Sequence, residues 1–245
     1  MQNTGIIIKN SINNNLKYKA WTIGFIGIAL LLVVGLTVFF CIMLINPEIK
    51  KESPDIERLK VYLGLVTYVS SVICLGININ VFAFQSMARE KSRGSIESLL
   101  ATPLKIRNLW FSKSIAVFIP GFIMAVVFGT IVFILLNFIY FIPRMGFVSL
   151  PWVFASSFIA APLIYLSLSF LNHLVGLSGE PTSSNIIAQV FLPAFLTLMI
   201  NLILHNILNV AAWIFFMANI GIFILIAIVV VFLMPRLNVE RVVLS

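Results

Sequence analysis

Long apolar runs alternate with short polar segments along the whole chain. Six runs are long enough to cross about 30 Å of hydrocarbon, which takes about 20 mostly apolar residues in a helix. Because a bilayer offers no water to backbone groups, and because these runs lack the alternation of a barrel strand, each is predicted to be a helix. The pattern predicts an all-α integral membrane protein, a single transmembrane domain with spans at 20–45, 61–88, 114–142, 151–176, 186–208 and 211–234.

Two further segments qualify this six-span topology. Residues 1–19 interleave isoleucines with Lys9, Asn13 and Lys17, which is typical of an N-terminal interfacial helix, although a frayed tail also fits. The first run is too long for a signal-peptide core and no small-residue cleavage site follows it, so we interpret it as retained. Almost no loop remains between spans five and six, which leaves open a re-entrant helical hairpin over part of residues 200–218.

Composition and charge agree with a multi-pass protein of the plasma membrane. Hydrophobic residues make up 61% of the chain and charged residues 10%, where soluble domains carry roughly a quarter charged residues. With both termini in the cytoplasm, 11 of the 16 basic residues lie on the cytoplasmic side, as the positive-inside rule requires. The net charge of +8 is spread over membrane-flanking positions without a compact aromatic and basic patch, so nucleic-acid binding is not expected.

The spans as drawn hold no Asp, Glu, Lys or Arg in their cores. Ion-driven carriers generally use such a buried charge as a proton or sodium relay, so coupling to an ion gradient is not expected. The chain also has no phosphate-binding loop for ATP. If the protein moves a solute uphill, the energy is therefore expected to come from a separate ATPase subunit.

No catalytic residue and no metal site are predicted. Cys41 and Cys74 fall inside spans without metal-ligand spacing, and they are interpreted as buried apolar side chains. His173 and His205 are expected at opposite membrane faces, too far apart to share a metal. An intramembrane enzyme would need a nucleophile, a carboxylate pair or a metal cluster at membrane depth, and the chain offers lone hydroxyls instead.

The only long charged segment between the spans, residues 89–113, carries eight of the 24 charged residues. Ile96, Leu99 and Leu100 share one face of a short amphipathic helix predicted within residues 89–101. Thr102 followed by Pro103 is a helix restart, with threonine as the cap and proline at the first helical position. On this pattern alone, an interfacial anchor between two spans is the alternative to a docking helix.

The run from Glu90 through Gly94-Ser95-Ile96-Glu97 to Leu99-Leu100-x-Thr102-Pro103, followed by Lys113, resembles the signature of ABC-transporter permeases of the type 2 exporter class. Ser95 stands where that class usually has threonine, and Ser112 stands where it has glycine. The resemblance implies a coupling helix at 89–101 that seats in an ATPase. The residues it assigns to ATPase coupling are Arg89, Glu90, Arg93, Gly94, Ser95, Ile96, Glu97, Leu99, Leu100, Thr102, Pro103 and Lys113.

The resemblance also implies partners. A permease of this class forms a homodimer or pairs with a second permease subunit, and it binds two cytoplasmic ABC ATPase subunits. ATP and Mg would be bound by those subunits, and this chain would hold no cofactor itself. Short outer loops and spans rich in Phe and Ile favour a small amphipathic or lipid-like cargo, and membrane lipids are expected neighbours. A membrane scaffold or assembly factor driven by an associated ATPase remains the alternative function.

Two polar stripes are candidates for the path of a solute. Their members recur at helical spacing on one face of span two and one face of span five, and permeases of the resembled class line their path with these two spans. Small and polar residues also hold membrane helices together, so plain packing is the alternative. The candidate path-lining residues are Thr67, Ser71, Asn78 and Gln85 in span two, and Gln189, Thr197 and Asn201 in span five.

Overall fold

A computed structural model describes residues 4–17, 19–83, 106–178 and 181–236. Every regular element in these ranges is helical, and six helices are long and apolar enough to cross a membrane. Both features confirm the predicted all-helical, multi-pass architecture. The six spans run over Thr22–Ile49, Ile56–Phe82, Ile106–Arg144, Pro151–Leu177, Ile186–Leu204 and Trp213–Leu233.

An N-terminal helix, Thr4–Lys17, precedes span one and packs against spans one and three. It agrees with the helix expected within residues 1–19. Several spans are composite, with α-helix interrupted by one π-helical turn, a feature often found at functional sites. Their helical segments are Lys19–Phe40, Cys41–Ile45 and Asn46–Ile49; Ile56–Asn78 and Ile79–Ala83; Ile106–Leu136, Asn137–Phe141 and Ile142–Met145; Pro151–Ala155, Ser156–Ala160 and Ala161–Ser178; Pro181–Leu204; and Trp213–Leu233, followed by Met234–Arg236.

Local chemistry fixes several of these boundaries. Span two begins at Ile56, five residues earlier than predicted, because the Asp55 carboxylate accepts hydrogen bonds from the backbone N–H groups of Glu57 and Arg58 at 3.0 and 3.2 Å. Span three ends before Gly146, whose φ of 84° is a conformation that glycine adopts without strain.

Span two is the centre of the bundle. In its most apolar stretch 89% of residues are buried, against 17–28% in spans one, five and six. Spans one, three, four and five all pack against it. Buried apolar side chains of all six spans therefore form one continuous core, and the outer faces of spans one, five and six carry most of the exposed Ile, Leu, Val and Phe.

Span three begins at Ile106, eight residues before the predicted start at 114. The prediction stopped at the polar residues Arg107, Asn108 and Ser112, but a helix continues past the edge of the hydrocarbon wherever its backbone can keep bonding. Lys113, expected at the mouth of the span, consequently lies about two turns inside the helix, and its side chain is 95% buried, since 5% of its surface is exposed.

Candidate functional site

The structure describes only the last residues of the predicted coupling segment, from Ile106 onward. Its residues from Arg89 to Pro103 lie outside the described ranges, as does Gln85 of the span two stripe. Their placement and their contact with an ATPase stay predictions. Lys113 is the one residue of the coupling set that the structure describes.

Lys113 belongs to a buried polar group between spans three and four. It lies close enough to His173, a fully buried residue, for the two side chains to interact electrostatically. The His173 Nδ1 atom is 2.9 Å from the backbone carbonyl of Ser169, and the Ser169 hydroxyl donates to the carbonyl of Ser114 at 2.9 Å. These contacts join span four to span three just inside the point where span three begins.

Aromatic side chains also join span three to span four beside Lys113. Trp110 donates its indole N–H to the Phe170 carbonyl at 2.9 Å, and the two rings lie 5.1 Å apart between centroids. Leu174, Leu177 and Val230 pack against the same indole in a small cluster that also reaches span six. We call Trp110, Lys113, Ser114, Ser169, Phe170 and His173 the three–four junction. Sequence reasoning singled out Lys113 alone, although Trp110, Lys113 and Ser114 are three and four residues apart and so share a helical face.

The span two stripe faces span three. Thr67, Ser71 and Asn78 are all buried, and the Asn78 side-chain amide donates to the Val117 carbonyl of span three at 2.6 Å. The Ser71 hydroxyl lies 3.4 Å from the Ala125 carbonyl of the same span. Gly121 of span three abuts Asn78, so the helices approach closely there. Within one chain this stripe holds two helices together, which is the packing alternative, and its role in a path stays a prediction.

The span five stripe lies on the exposed surface of the bundle. Gln189, Thr197 and Asn201 are exposed, and the Asn201 side-chain amide donates to the Thr197 carbonyl one turn earlier at 2.8 Å. Spans two and five do touch, at Gly76 and Leu192, yet neither residue belongs to a stripe. The described members of the two predicted stripes are therefore not brought together within a single chain.

A second buried polar contact was missed by the sequence analysis. The Tyr68 hydroxyl of span two donates to the Asn219 side-chain oxygen of span six, and Asn219 in turn donates to the Phe215 carbonyl at 2.8 Å. Both side chains are fully buried. The available signal was weak. Asn219 is a single polar residue in an apolar run, and Tyr68 stands among the hydroxyl residues Thr67, Ser70 and Ser71. Polar residues in membrane helices usually find a partner.

The geometry of the described residues defines a class of protein. Within the described ranges, no three His, Cys, Asp or Glu side chains lie together as a metal site would require. Several buried polar contacts join one helix to another, as between Asn78 and Val117 and between Ser169 and Ser114, which is the arrangement of a multi-pass helical membrane protein. Comparison with protein-family models, curated proteins and solved structures finds no match to the chain.

Proposed function

We propose that this chain is the permease subunit of an ATP-driven ABC exporter of the type 2 class, working as a dimer with two cytoplasmic ATPase subunits in the plasma membrane. The six spans, the run from Glu90 to Lys113 and the lack of a phosphate-binding loop in the 245 residues support this proposal. Both termini are proposed to be cytoplasmic, in line with the distribution of basic residues.

One observation carries the proposal: the two spans that flank the 84–105 segment are packed as a unit. Asn78 bonds to Val117, and Gly121 and Gly129 of span three allow Asn78 and Ser71 of span two to approach closely. A push on the proposed 89–101 helix would therefore move both spans together rather than separate them, since packed cores deform by discrete shifts.

The three–four junction extends this unit. Trp110 and Lys113 lie within two turns of Ile106, where span three begins after the 84–105 segment. Their contacts with Phe170 and His173 of span four would carry the same movement into span four. The proposed cycle is mechanical: ATP-driven closure of the ATPases tilts spans two to four and changes access to a path at the dimer interface.

The exposed stripe of span five supports the dimer. Gln189 and Asn201 carry amide groups on a membrane-spanning helix whose surface is mostly uncovered in one chain. Exposing an amide to hydrocarbon is unfavourable, and hydrogen bonds between membrane helices contribute about 0.6–2 kcal/mol each. A second permease subunit packed here would cover the stripe and place Gln189, Thr197 and Asn201 beside the path.

The finer topology between spans five and six belongs to the same proposal. Span five ends at Leu204 and span six begins at Trp213, so residues 205–212 form a short connection that holds Asn206 at φ 58°. Cysteines at Glu52 and Asn209, both exposed, should react with a membrane-impermeant maleimide on whole cells, whereas a cysteine at Lys9 should not. Protection of position 209 would favour a re-entrant hairpin over 200–218.

The coupling helix is tested by substitution. Glu97→Gln and Leu100→Asp remove the polar contact and the apolar seat proposed for the 89–101 helix. Each should reduce co-purification of an ABC ATPase from native membranes and lower the ATP hydrolysis of the purified assembly. Glu52→Gln and Ile56→Asp make the same chemical changes at exposed positions, in the 50–55 connection and at the first residue of span two, and they should leave both quantities unchanged.

Each outcome bears on the proposal. Unchanged ATPase binding and hydrolysis in both the Glu97 and Leu100 variants would refute docking through this helix. Co-purification of an ATPase whose hydrolysis responds to no lipid or amphiphile supplied in liposomes would favour the scaffold or assembly factor instead.

A further inference from the structure

An apolar groove runs between spans one and three. Its volume is about 480 Å³, within the roughly 300–1,000 Å³ typical of ligand sites. It is distinct from the three–four junction and from both polar stripes. Its lining from span one is Leu30, Val33, Val34, Thr37, Val38, Cys41, Ile42 and Asn46, and from span three Phe128, Ile131, Val132, Leu135, Leu136, Ile139 and Tyr140.

The fold creates this groove. Spans one and three each pack along span two but barely touch one another, so a wedge remains between them. Val33, Cys41, Val132 and Leu136 are buried and form its floor. Residues such as Val34 and Leu135 are about half exposed and form its rims. The groove thus opens sideways, toward the space that hydrocarbon would fill around a membrane span.

The length and chemistry of the groove favour a hydrocarbon chain. From Phe128 to Tyr140 the wall rises through 12 residues, which is about 18 Å of helix and somewhat more than half of a hydrocarbon core of about 30 Å. This length is about the depth of one leaflet of a bilayer. The lining is almost entirely apolar, so an extended hydrocarbon chain that enters beside the polar end can lie along the groove.

One end of the groove is polar. The Tyr140 hydroxyl of span three lies near the side chains of Cys41 and Asn46 of span one, so polar groups of the two walls meet at that level. Lys50 lies one turn beyond Asn46, with its backbone N–H donating to the Asn46 carbonyl at 3.2 Å. The Lys50 side chain is exposed.

Neighbouring acids pair with the other lysines on this side of the groove and leave Lys50 unpaired, and on the opposite wall Arg144 lies one turn beyond Tyr140. The Lys51 Nζ atom forms an ion pair with the Glu48 carboxylate at 2.6 Å, and the Lys60 Nζ atom forms one with the Glu57 carboxylate at 2.7 Å. Lys50 forms no ion pair with any described residue, and cations at the membrane surface attract anionic lipid headgroups. The groove thus combines an apolar slot, amide and hydroxyl groups at its end, and an ammonium group one turn further.

We propose that this groove binds one acyl chain of an anionic membrane phospholipid, with the phosphate held at Asn46 and Lys50. The bound lipid would brace span one against span three, since the two helices share few direct contacts. The inference does not rest on the proposed exporter function, because it uses only the groove and its polar end.

Photo-crosslinking of the full chain in liposomes tests this site. Phosphatidylglycerol carrying a diazirine in its acyl chain is activated by light, and labelled peptides are mapped by mass spectrometry. Labelling should concentrate on the segments 30–46 and 128–140. Val34→Trp and Leu135→Trp fill the groove and should abolish this labelling. Leu31→Trp and Ile134→Trp add the same ring at exposed positions of the same helices outside the groove, and they should preserve it.

A second arm tests the headgroup. With the wild-type chain, the phosphatidylglycerol probe should label the groove severalfold more than a phosphatidylcholine probe of the same acyl structure. Lys50→Gln should reduce the difference between the two probes, and together with Arg144→Gln it should abolish that difference. Lys60→Gln removes an equal charge from an ion pair nearby and should leave the difference intact.

Several results would overturn the proposal. Labelling spread evenly over the exposed faces of spans one, three, five and six would show only the surrounding lipid annulus. Equal labelling by both probes in the wild-type chain would refute the proposed binding of an anionic headgroup at Asn46 and Lys50. Loss of dimers in Val34→Trp and Leu135→Trp, with no lipid labelling of the groove in the wild type, would show that a second copy covers it. Unchanged ATPase binding and hydrolysis in the Glu97 and Leu100 variants would refute coupling through the 89–101 helix. That outcome would have no bearing on the lipid labelling of the groove.

Discussion

Gly121→Ala is the sharpest test of how spans two and three are joined. An added Cβ would lie 2.6 Å from the Cβ, Cγ and Nδ2 atoms of Asn78. Carbon contacts are optimal at about 3.5–4.0 Å, so the helices must separate by roughly 1 Å. Because the closest atoms include the Asn78 Cβ, rotation of that side chain cannot relieve the overlap, and the backbones must move.

The expected loss of stability follows from three contributions. Overpacking of a buried site costs about 1–3 kcal/mol. Separation of the helices also breaks the 2.6 Å hydrogen bond from Asn78 to Val117, and an unsatisfied buried amide costs about 1–3 kcal/mol. Alanine is the better helix former, which offsets about 1 kcal/mol. The free energy of unfolding should therefore fall by about 1–5 kcal/mol.

The assay is reversible unfolding by SDS in mixed micelles, followed through the fluorescence of the four tryptophans. Gly35→Ala is the matched control, because nothing lies within 4 Å of its added Cβ, and it should be neutral or stabilising by up to about 1 kcal/mol. Asn78→Gly makes room for the new methyl group. The double variant with Gly121→Ala should then be more stable than additivity allows, by at least about 1 kcal/mol. Equal stabilities for Gly121→Ala and Gly35→Ala, with an additive double variant, would refute close packing at Gly121.

Other predictions test the remaining contacts. Tyr68→Phe should lower the free energy of unfolding by about 1–3 kcal/mol, because it leaves the buried Asn219 side-chain oxygen unpartnered. Combining it with Asn219→Leu should recover part of that loss, as both polar groups are then gone. Asn201→Leu should weaken self-association in liposomes by about 0.6–2 kcal/mol, measured by energy transfer between labelled copies. Cys74, fully buried, should resist a membrane-permeant maleimide until the protein is unfolded.

Each of these predictions has a contrary result. A Tyr68→Phe variant as stable as the wild type would mean that its hydroxyl bond contributes nothing net. Self-association unaffected by Asn201→Leu, and equal to that of Ile123→Ala on the exposed face of span three, would move the dimer interface away from span five. Rapid labelling of Cys74 in the folded protein would show that the face of span two at this residue is open to reagents, and would favour a path along it.

The stripes show where sequence reasoning reached its limit. The spacing of Thr67, Ser71 and Asn78 correctly placed them on one face of a helix, but the same spacing serves a solute path and a packed helix pair. The contacts of Asn78 with Val117 and Gly121 identify span three as the neighbour, and spacing in the sequence could not show them. The exposed stripe of span five has the same kind of sequence pattern and the opposite environment.

Lys113 shows a second limit. Hydropathy marks the part of a helix that lies in hydrocarbon, so the sequence placed this lysine at the mouth of span three. The helix itself starts at Ile106, and its extension buries Lys113 beside His173 of span four. No pattern within either segment indicates this pairing, since the two residues are 60 positions apart.

The sequence by itself determined that this chain is a bundle of six membrane-spanning helices, because a run of about 20 apolar residues has no other way to satisfy its backbone in a bilayer. Tertiary structure alone decided which helix lies at the centre, which polar face is covered, and where a groove is left open. These depend on contacts between distant segments, and helices that are apolar on nearly every side carry too little contrast between faces to specify them.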